Sequence, residues 1–373
     1  MQEKKPLNFA DTHRDFSTTL NKRVADYFRS NDIQRHANAE MVIKTIFMFG
    51  IYLTPYLLIV TGLVTGTWAL IASLLCMSMG TAGIGLSVMH DANHGAYSKK
   101  GWINTLIGYS LNLVGASSFT WKIQHNVLHH TFTNVHEEDE DINSRGLLRL
   151  TPHSSWKWIH KYQHIYAWFF YGLMTIVWLF FKDFVRLGRY QKNGLVKKQK
   201  ANIVREWLLL VATKFIYIGY MVVIPIVFTS FAWWQIILAV VAMHYVAGFL
   251  LAIIFQPAHV IEGSEFPVPD SSNNTFETNW AVHQLMTTTN FGNRSRWFSW
   301  YVGGLNFQIE HHLFPNICHV HYRAIQPIVK RTAEEFGLPY KSTRTFLEAV
   351  IKHAKLLKQL GVRPAYAGTP LLN

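Results

Sequence analysis

Four stretches of this 373-residue chain are long and apolar enough to cross a lipid bilayer, and they limit its fold more than any other feature. They run over about 42–64, 68–89, 207–229 and 232–256. A spanning helix needs roughly 20 apolar residues. Inside hydrocarbon the backbone must satisfy its own hydrogen bonds, so runs of this kind are helices. The rest of the composition agrees: half of the residues are hydrophobic and only 15% are charged, where a soluble chain carries about a quarter. A fifth run, 164–181, is apolar enough to cross but shorter. The links "TGT" (65–67) and "TSF" (229–231) are short and uncharged, which makes tight hairpin turns of them.

Orientation follows from the basic residues. Segment 182–206 carries eight Lys or Arg against Asp183 and Glu206, and the first 40 residues are also basic. The positive-inside rule places both in the cytoplasm. If the first hairpin returns the chain to the cytoplasm at His90, the fifth run cannot cross once and reads as an interfacial or re-entrant helix. Residues 101–119 read as another interfacial helix. The formal charge of +13 is therefore membrane topology and contact with anionic lipid; no nucleic-acid-binding motif accompanies it. The polar N-terminus lacks a signal-peptide core. Cys76 and Cys318 form no CxxC pair.

Nineteen histidines are distributed very unevenly. "HDANH" places His90 and His94 four apart, on one face of a helix. "HNVLHH" supplies His125, His129 and His130, with 125 and 129 predicted to share a face. "QIEHH" supplies Gln308, His311 and His312, and "QPAH" puts His259 just after the last span. With both hairpins returning to the cytoplasm, all four groups lie on one side of the membrane. Imidazole is the commonest metal ligand, and eight of them exceed the needs of one tetrahedral ion. Two metal ions fit better; iron, zinc, copper and nickel all accept such ligands. Asp139 and Asp141 in "HEEDEDI", together with Asp91 and Glu310, are candidates to accept N–H bonds from ligating rings. The scattered His13, His36, His153, His160, His164 and His353 are expected to be solvated or interfacial, and His244 to be a packing residue within a span.

The combination HxxxH, HxxxHH and QxxHH resembles the membrane fatty acid desaturases, over about 40–325. The leading Gln of the third motif is similar to the front-end subgroup, which acts between an existing double bond and the carboxyl end. The resemblance implies an all-α integral membrane fold: four transmembrane helices in two hairpins, interfacial helices, and a cytoplasmic helical cap holding a di-iron centre. It makes one domain of 1–373, divided into an N-terminal segment (1–40), the first hairpin (42–89), a cytoplasmic or interfacial part (90–206), the second hairpin (207–256) and the cap (257–373).

It further implies iron ligation by His90, His94, His125, His129, His130, His311 and His312. His259 matches the isolated ligand, with His283 as the competing choice, and Gln308 binds iron weakly or holds a water. The implied reaction uses two iron ions and O2 to take two hydrogens from adjacent methylenes of a fatty acyl chain drawn from the bilayer. No haem-binding His-Pro-Gly-Gly motif is present, so the expected electron donor is a separate ferredoxin, or a free cytochrome with its reductase. Phe291, Trp297 and Trp300 are expected along an acyl tunnel, and Arg294 and Arg296 against a substrate headgroup. A bacterial inner membrane is the expected location. The alternatives are hydroxylation on the same scaffold and metal transport; transport is disfavoured because ionisable residues do not line mid-span positions.

Overall fold

A computed structural model describes residues 6–364. The chain forms two compact units that alternate along it: 36–123 with 168–253, and the described parts of 1–35, 124–167 and 254–373.

The first unit carries most of the apolar length. Four helices are long and apolar enough to cross a membrane: Ala39–Val60, Thr67–Asn93, Ile203–Phe228 and Trp233–His259. Many of their large apolar side chains are exposed, Ile43, Trp68 and Phe215 among them, as suits surfaces that face lipid. The first two pack closely through small residues. A Cβ on Gly80 would stand 2.8 Å from the backbone N of Tyr52, and one on Gly83 would strike the sulfur of Met48. Small residues at such crossings let helix backbones approach in the absence of a hydrophobic drive.

The helices overrun the apolar stretches at the ends that carry histidine. The second continues through a wide π turn, Ile84–Val88, into Met89–Asn93, and the fourth ends on His259 itself. His259 is thus the last helical residue rather than one beyond the span. The fifth apolar run is two helices, Trp158–Gly172 and Met174–Lys192, bent by 59°. Segment 101–119 is also not one helix but Gly101–Gly108, Ser110–Leu113 and the start of Ser118–Lys122. Its outer residues Trp102 and Leu106 are exposed.

A buried charge is fixed in this unit. Asp183 accepts from the backbone N of Ser117 at 2.9 Å, Thr120 Oγ1 at 2.5 Å, Trp178 Nε1 at 2.8 Å and Lys214 Nζ at 2.7 Å. Lys214 also donates to the Gly115 carbonyl at 2.7 Å. Two charges removed from water are tolerable only when their remaining valences are filled in this way.

In the second unit helices Arg14–Ser30 and Tyr322–Glu335 lie together, joined at the surface by Arg23 and Glu335 at 2.6 Å. Their apolar faces, Phe16, Leu20 and Val24 against Ile325, Val329 and Ala333, share a core with Ile309 and Leu313. Two short parallel pairings close loops onto it: Asn8–Phe9 with Thr275–Phe276, and Asn290–Phe291 with Ser342–Thr343.

Candidate metal centre

The third histidine motif forms a six-residue helix, Gln308–Leu313, entirely buried. A helix this short needs outside partners for its first N–H groups. Its N-cap, Phe307, has no side chain that can cap. Asn290 caps it from another strand, its Oδ1 accepting from Ile309 N at 3.0 Å. The Asn290 Nδ2 donates to Glu310 Oε2 at 2.8 Å, and Tyr340 donates to Glu310 Oε1 at 2.8 Å. Glu310, expected to face an imidazole, is therefore bound to Asn290 and Tyr340 instead. Burial pushes its carboxyl up to about 7, against the pull of those two hydrogen bonds. With the helix so anchored, Gln308, His311 and His312 fall at i, i+3 and i+4 on one face.

The second motif lies on a π turn, Ile123–His129, rather than on an α-helix. The backbone N of His130 bonds the carbonyl of His125 at 2.9 Å, five residues back. One extra residue per turn brings i and i+5 together. His125 and His130 Nε2 atoms accordingly stand 3.3 Å apart, and His130 Nε2 is 3.0 Å from His311 Nε2. The predicted pairing of 125 with 129 survives only as stacked rings with centroids 5.2 Å apart. Single π turns of this kind occur frequently at functional sites.

Three rings from three elements meet in a second group. Ligand-capable atoms of His129, His259 and His312 lie within 4.8 Å of one another, all buried. Each ring is held by its Nδ1. His129 Nδ1–H donates to Asp139 at 3.0 Å, His259 Nδ1–H to the Thr287 carbonyl at 3.3 Å, and His312 Nδ1–H to Gln284 Oε1 at 2.8 Å. The Nε2 atoms of His129 and His259 are buried without a hydrogen-bond partner among the described residues. A neutral imidazole fixed through Nδ1, with an unsatisfied Nε2 in a dry site, is the usual arrangement of a metal ligand. A further trio, His130, His311 and His312, shares a ring with this one. Neighbouring nitrogen ligands with bonds of about 2.1 Å lie about 3 Å apart at right angles. The residues therefore fit metal ions.

Electrostatics reinforce the geometry. Burial alone would pull the His129 pKa down, but Asp139, and then Asp141, outweigh it and hold the ring above its ordinary value. Asp139 is itself fully buried and accepts from the backbone N of Asn134 at 2.9 Å and of Asp141 at 2.9 Å. Asp141 Oδ2 stands 3.7 Å from His129 Nδ1 and 3.8 Å from His125 Nδ1, and Asp141 also accepts from Gln124.

The other candidates are placed as follows. His90 and His94 lie in the first unit, with ring centroids 4.7 Å apart and both edge-on to Trp121; Asp91 Oδ1 is 3.8 Å from His90 Nδ1. Gln308 is buried with both amide atoms unpartnered among the described residues. His283 donates from Nε2 to the Thr133 carbonyl at 2.9 Å and packs on Phe9 and Phe276, outside the trios; burial lowers its pKa to about 4. Arg294 and Arg296 are exposed.

Several expectations need correction. Trp297 is 86% exposed rather than enclosed, while Phe291 is packed between Phe298 and Phe346. His160 and His353 are buried rather than solvated, each tied to a backbone carbonyl, of Gly146 and Val260 respectively. By contrast, both ring nitrogens of His244 bond within its own unit, to Tyr217 and Thr175, as a packing residue does.

Several supporting residues were not singled out from sequence. Gln284 grips His312 and also donates from Nε2 to the His130 carbonyl at 3.2 Å. Tyr322 bonds His311 Nδ1 at 3.2 Å, and Asn134 Nδ2 bonds the His259 carbonyl at 2.9 Å. Gln284 directly follows His283 in "NWAVHQL", so the signal is a polar neighbour of a candidate ligand.

Helices long and apolar enough to span, with buried histidine clusters compatible with metal, mark a multi-pass membrane protein. The Fatty acid desaturase family model matches residues 65–344, and the chain belongs to that family. It is an oxidoreductase acting on fatty acyl chains. It is 39% identical to an acyl-lipid (8-3)-desaturase of Physcomitrium patens, over 96% of this chain and 75% of the relative. It is 32% identical to an sn-1 linoleoyl-lipid 6-desaturase of Arthrospira platensis, over 94% and 93%, and 31% identical to one of Synechocystis, over 93% and 96%.

Proposed function

We propose that the protein is a front-end acyl-lipid desaturase whose buried imidazoles hold two iron ions. The observation that carries this is the trio His129, His259 and His312, each ring fixed through Nδ1 and each offering a ligand-capable nitrogen within 4.8 Å of the others. His125, His130 and His311 form the second half. His90 and His94 are assigned to the same centre on the family resemblance alone, and Gln308 to a weak ligand or a water-holding amide. The relatives named for 6- and (8-3)-desaturation support the front-end reading.

When bound, the irons supply the activated oxygen that an unactivated methylene requires. The protein's part is to keep water out, hold each ring in one tautomer through Asp139, Gln284 and the Thr287 carbonyl, and leave Nε2 free of protons. General acid–base groups alone do not attack such a C–H bond. An external one-electron donor completes the reaction, a ferredoxin or a cytochrome. The acyl chain reaches the site from the bilayer, with Arg294 and Arg296 as candidates for its headgroup. The spans form two hairpins with the bent fifth run re-entrant between them, the histidines facing the cytoplasm of a bacterial inner membrane. The two units then work as one desaturase domain.

The test is expression of the chain and of His311→Ala in host cells fed linoleic acid, with fatty acids profiled by mass spectrometry. A new double bond toward the carboxyl end, lost in the variant along with iron while membrane insertion persists, is the expected outcome. A new hydroxyl group would instead assign the scaffold to oxygenation. Retention of full iron content and product by the variant would remove His311 from the centre.

A further inference from the structure

Two rings of the buried trio, His129 and His259, come from segments far apart in the chain, and neither segment alone fixes the distance between them. One residue meets both. Asn134 is fully buried, with φ at 61°. That left-handed conformation strains most side chains, and asparagine is among the few that adopt it. It turns the chain after the π turn, so that Asp139 comes back to the ring of His129. The backbone N–H of Asn134 closes this turn. It donates at 2.9 Å to Asp139 Oδ2, the same oxygen that receives His129 Nδ1–H at 3.0 Å.

The side chain reaches the other ring's segment. Asn134 Nδ2 donates to the His259 carbonyl at 2.9 Å and to the Glu265 carbonyl at 3.0 Å, which uses both of its protons. Both acceptors are carbonyl oxygens, so the amide can face only one way. His259 ends the helix Trp233–His259, and the last carbonyls of a helix have no partner within it. The amide therefore completes the helix end that carries a ligand. Glu265 is itself held. Its carboxylate receives Lys341 Nζ at 3.0 Å, and the same Nζ donates to the carbonyls of Gly263 at 3.0 Å and Met286 at 2.6 Å.

We propose that Asn134 is a positioning residue that sets the separation of the His129 and His259 rings, its backbone acting through Asp139 and its amide through the His259 carbonyl. The proposal rests on the metal-centre reading above and adds to it the residue that keeps two ligands from different segments in register. Residues behind a metal ligand typically change metal affinity about 10–100-fold when lost. Asn134 stands behind two ligands at once, and its two arms can be removed one at a time.

The experiment uses the full-length protein in detergent. Iron affinity is measured by equilibrium dialysis against ferrous iron, and ligand geometry by the ferrous ligand-field bands in magnetic circular dichroism. Asn134→Gly keeps the left-handed turn and the N–H to Asp139 but removes the amide. Asn134→Asp keeps the shape and exchanges the donor for a carboxylate, so the comparison stands even where the glycine variant folds poorly. Each is expected to lower iron affinity about tenfold and to shift the ligand-field bands. Each is then combined with His259→Ala. A side chain that acts through His259 has little left to change once that ring is gone, so the further loss should stay within about twofold. A general loss of stability would repeat the full tenfold loss in both backgrounds. Unchanged affinity in both Asn134 variants, or a further loss undiminished beside His259→Ala, overturns the proposal. Parent-like iron affinity in His259→Ala by itself would instead count against the metal centre, so the two readings fail separately.

Discussion

Asp139 shows how much one residue can carry at the centre. Its carboxylate receives His129 Nδ1–H and two backbone N–H groups, all in a fully buried position. A carboxylate behind a ligating histidine fixes the ring's orientation and raises its basicity, and its removal typically weakens metal binding about 10–100-fold. Asp139→Asn keeps the shape but exchanges a charged acceptor for an amide that must turn its carbonyl toward the ring. It is expected to lower iron affinity by about that factor, read by iron retention against a graded chelator, with the helical content unchanged by circular dichroism. Glu310→Gln provides the contrast. That carboxyl bonds Asn290 and Tyr340 rather than an imidazole, so the amide should cost far less iron. An equal loss in both variants would show that any polar change near the centre suffices, and would remove the specific role of Asp139.

At the scale of elements, the spans and the clustering of histidines were legible because both are collective patterns. Some twenty apolar residues in a row, or imidazoles recurring at short spacing, do not depend on any one contact. The π turn that carries His125 to His130 was not legible: a single extra residue in a turn leaves no mark on composition, and its backbone bond from His130 to His125 belongs to the folded chain. Nor was the cap supplied by Asn290, eighteen residues before the helix it completes. Lone histidines such as His160 suit water or a core equally well until a partner segment arrives. The Asp183 clamp is of this non-local kind, and it holds the start of helix Ser118–Lys122, which runs on into the π turn. Asp183→Ala strands the buried Lys214 without its counter-ion, a change expected to cost about 3–5 kcal/mol. The double variant Asp183→Leu with Lys214→Met removes both charges and should be markedly more stable than the single one, by thermal unfolding in detergent. If the double variant unfolds no later than the single, the pair's charge is not what matters there.

At the scale of the whole molecule, several buried histidines accept protons less readily in the fold than in the unfolded chain, and each shapes the response to acid. His353 is buried on helix Phe346–Leu360, its Nδ1–H spent on the Val260 carbonyl, and burial lowers its pKa to about 4. The same helix is fastened by Arg149 to the Leu360 carbonyl at 2.9 Å and by Gln163 to the Leu357 carbonyl at 2.7 Å, so the ring cannot turn to water without loosening it. Burial lowers His283 to about 4 and lowers His160 too. His129 opposes them, being held above its ordinary value by Asp139 once burial is outweighed. For a group with a depressed folded pKa, both states are neutral above the unfolded value of about 6.5, and nothing changes there. Below it the unfolded chain takes up a proton that the folded one refuses, and stability falls by about 1.4 kcal/mol per pH unit per group until the folded pKa is reached. These three histidines therefore cost the iron-free protein stability between pH 7 and pH 5, against the opposing proton uptake of His129 and of Glu310, whose carboxyl burial raises to about 7. His353→Gln, which can still donate to the Val260 carbonyl, should lose about 2 kcal/mol less over that interval, since one titrating group over about 1.5 pH units amounts to that. Carboxylates titrate equally in both proteins and drop out of the comparison. Thermal unfolding of the two at pH 7 and pH 5 gives the difference directly. Parallel losses would mean that His353 exchanges protons with solvent in the folded state, against the burial that fixes it here.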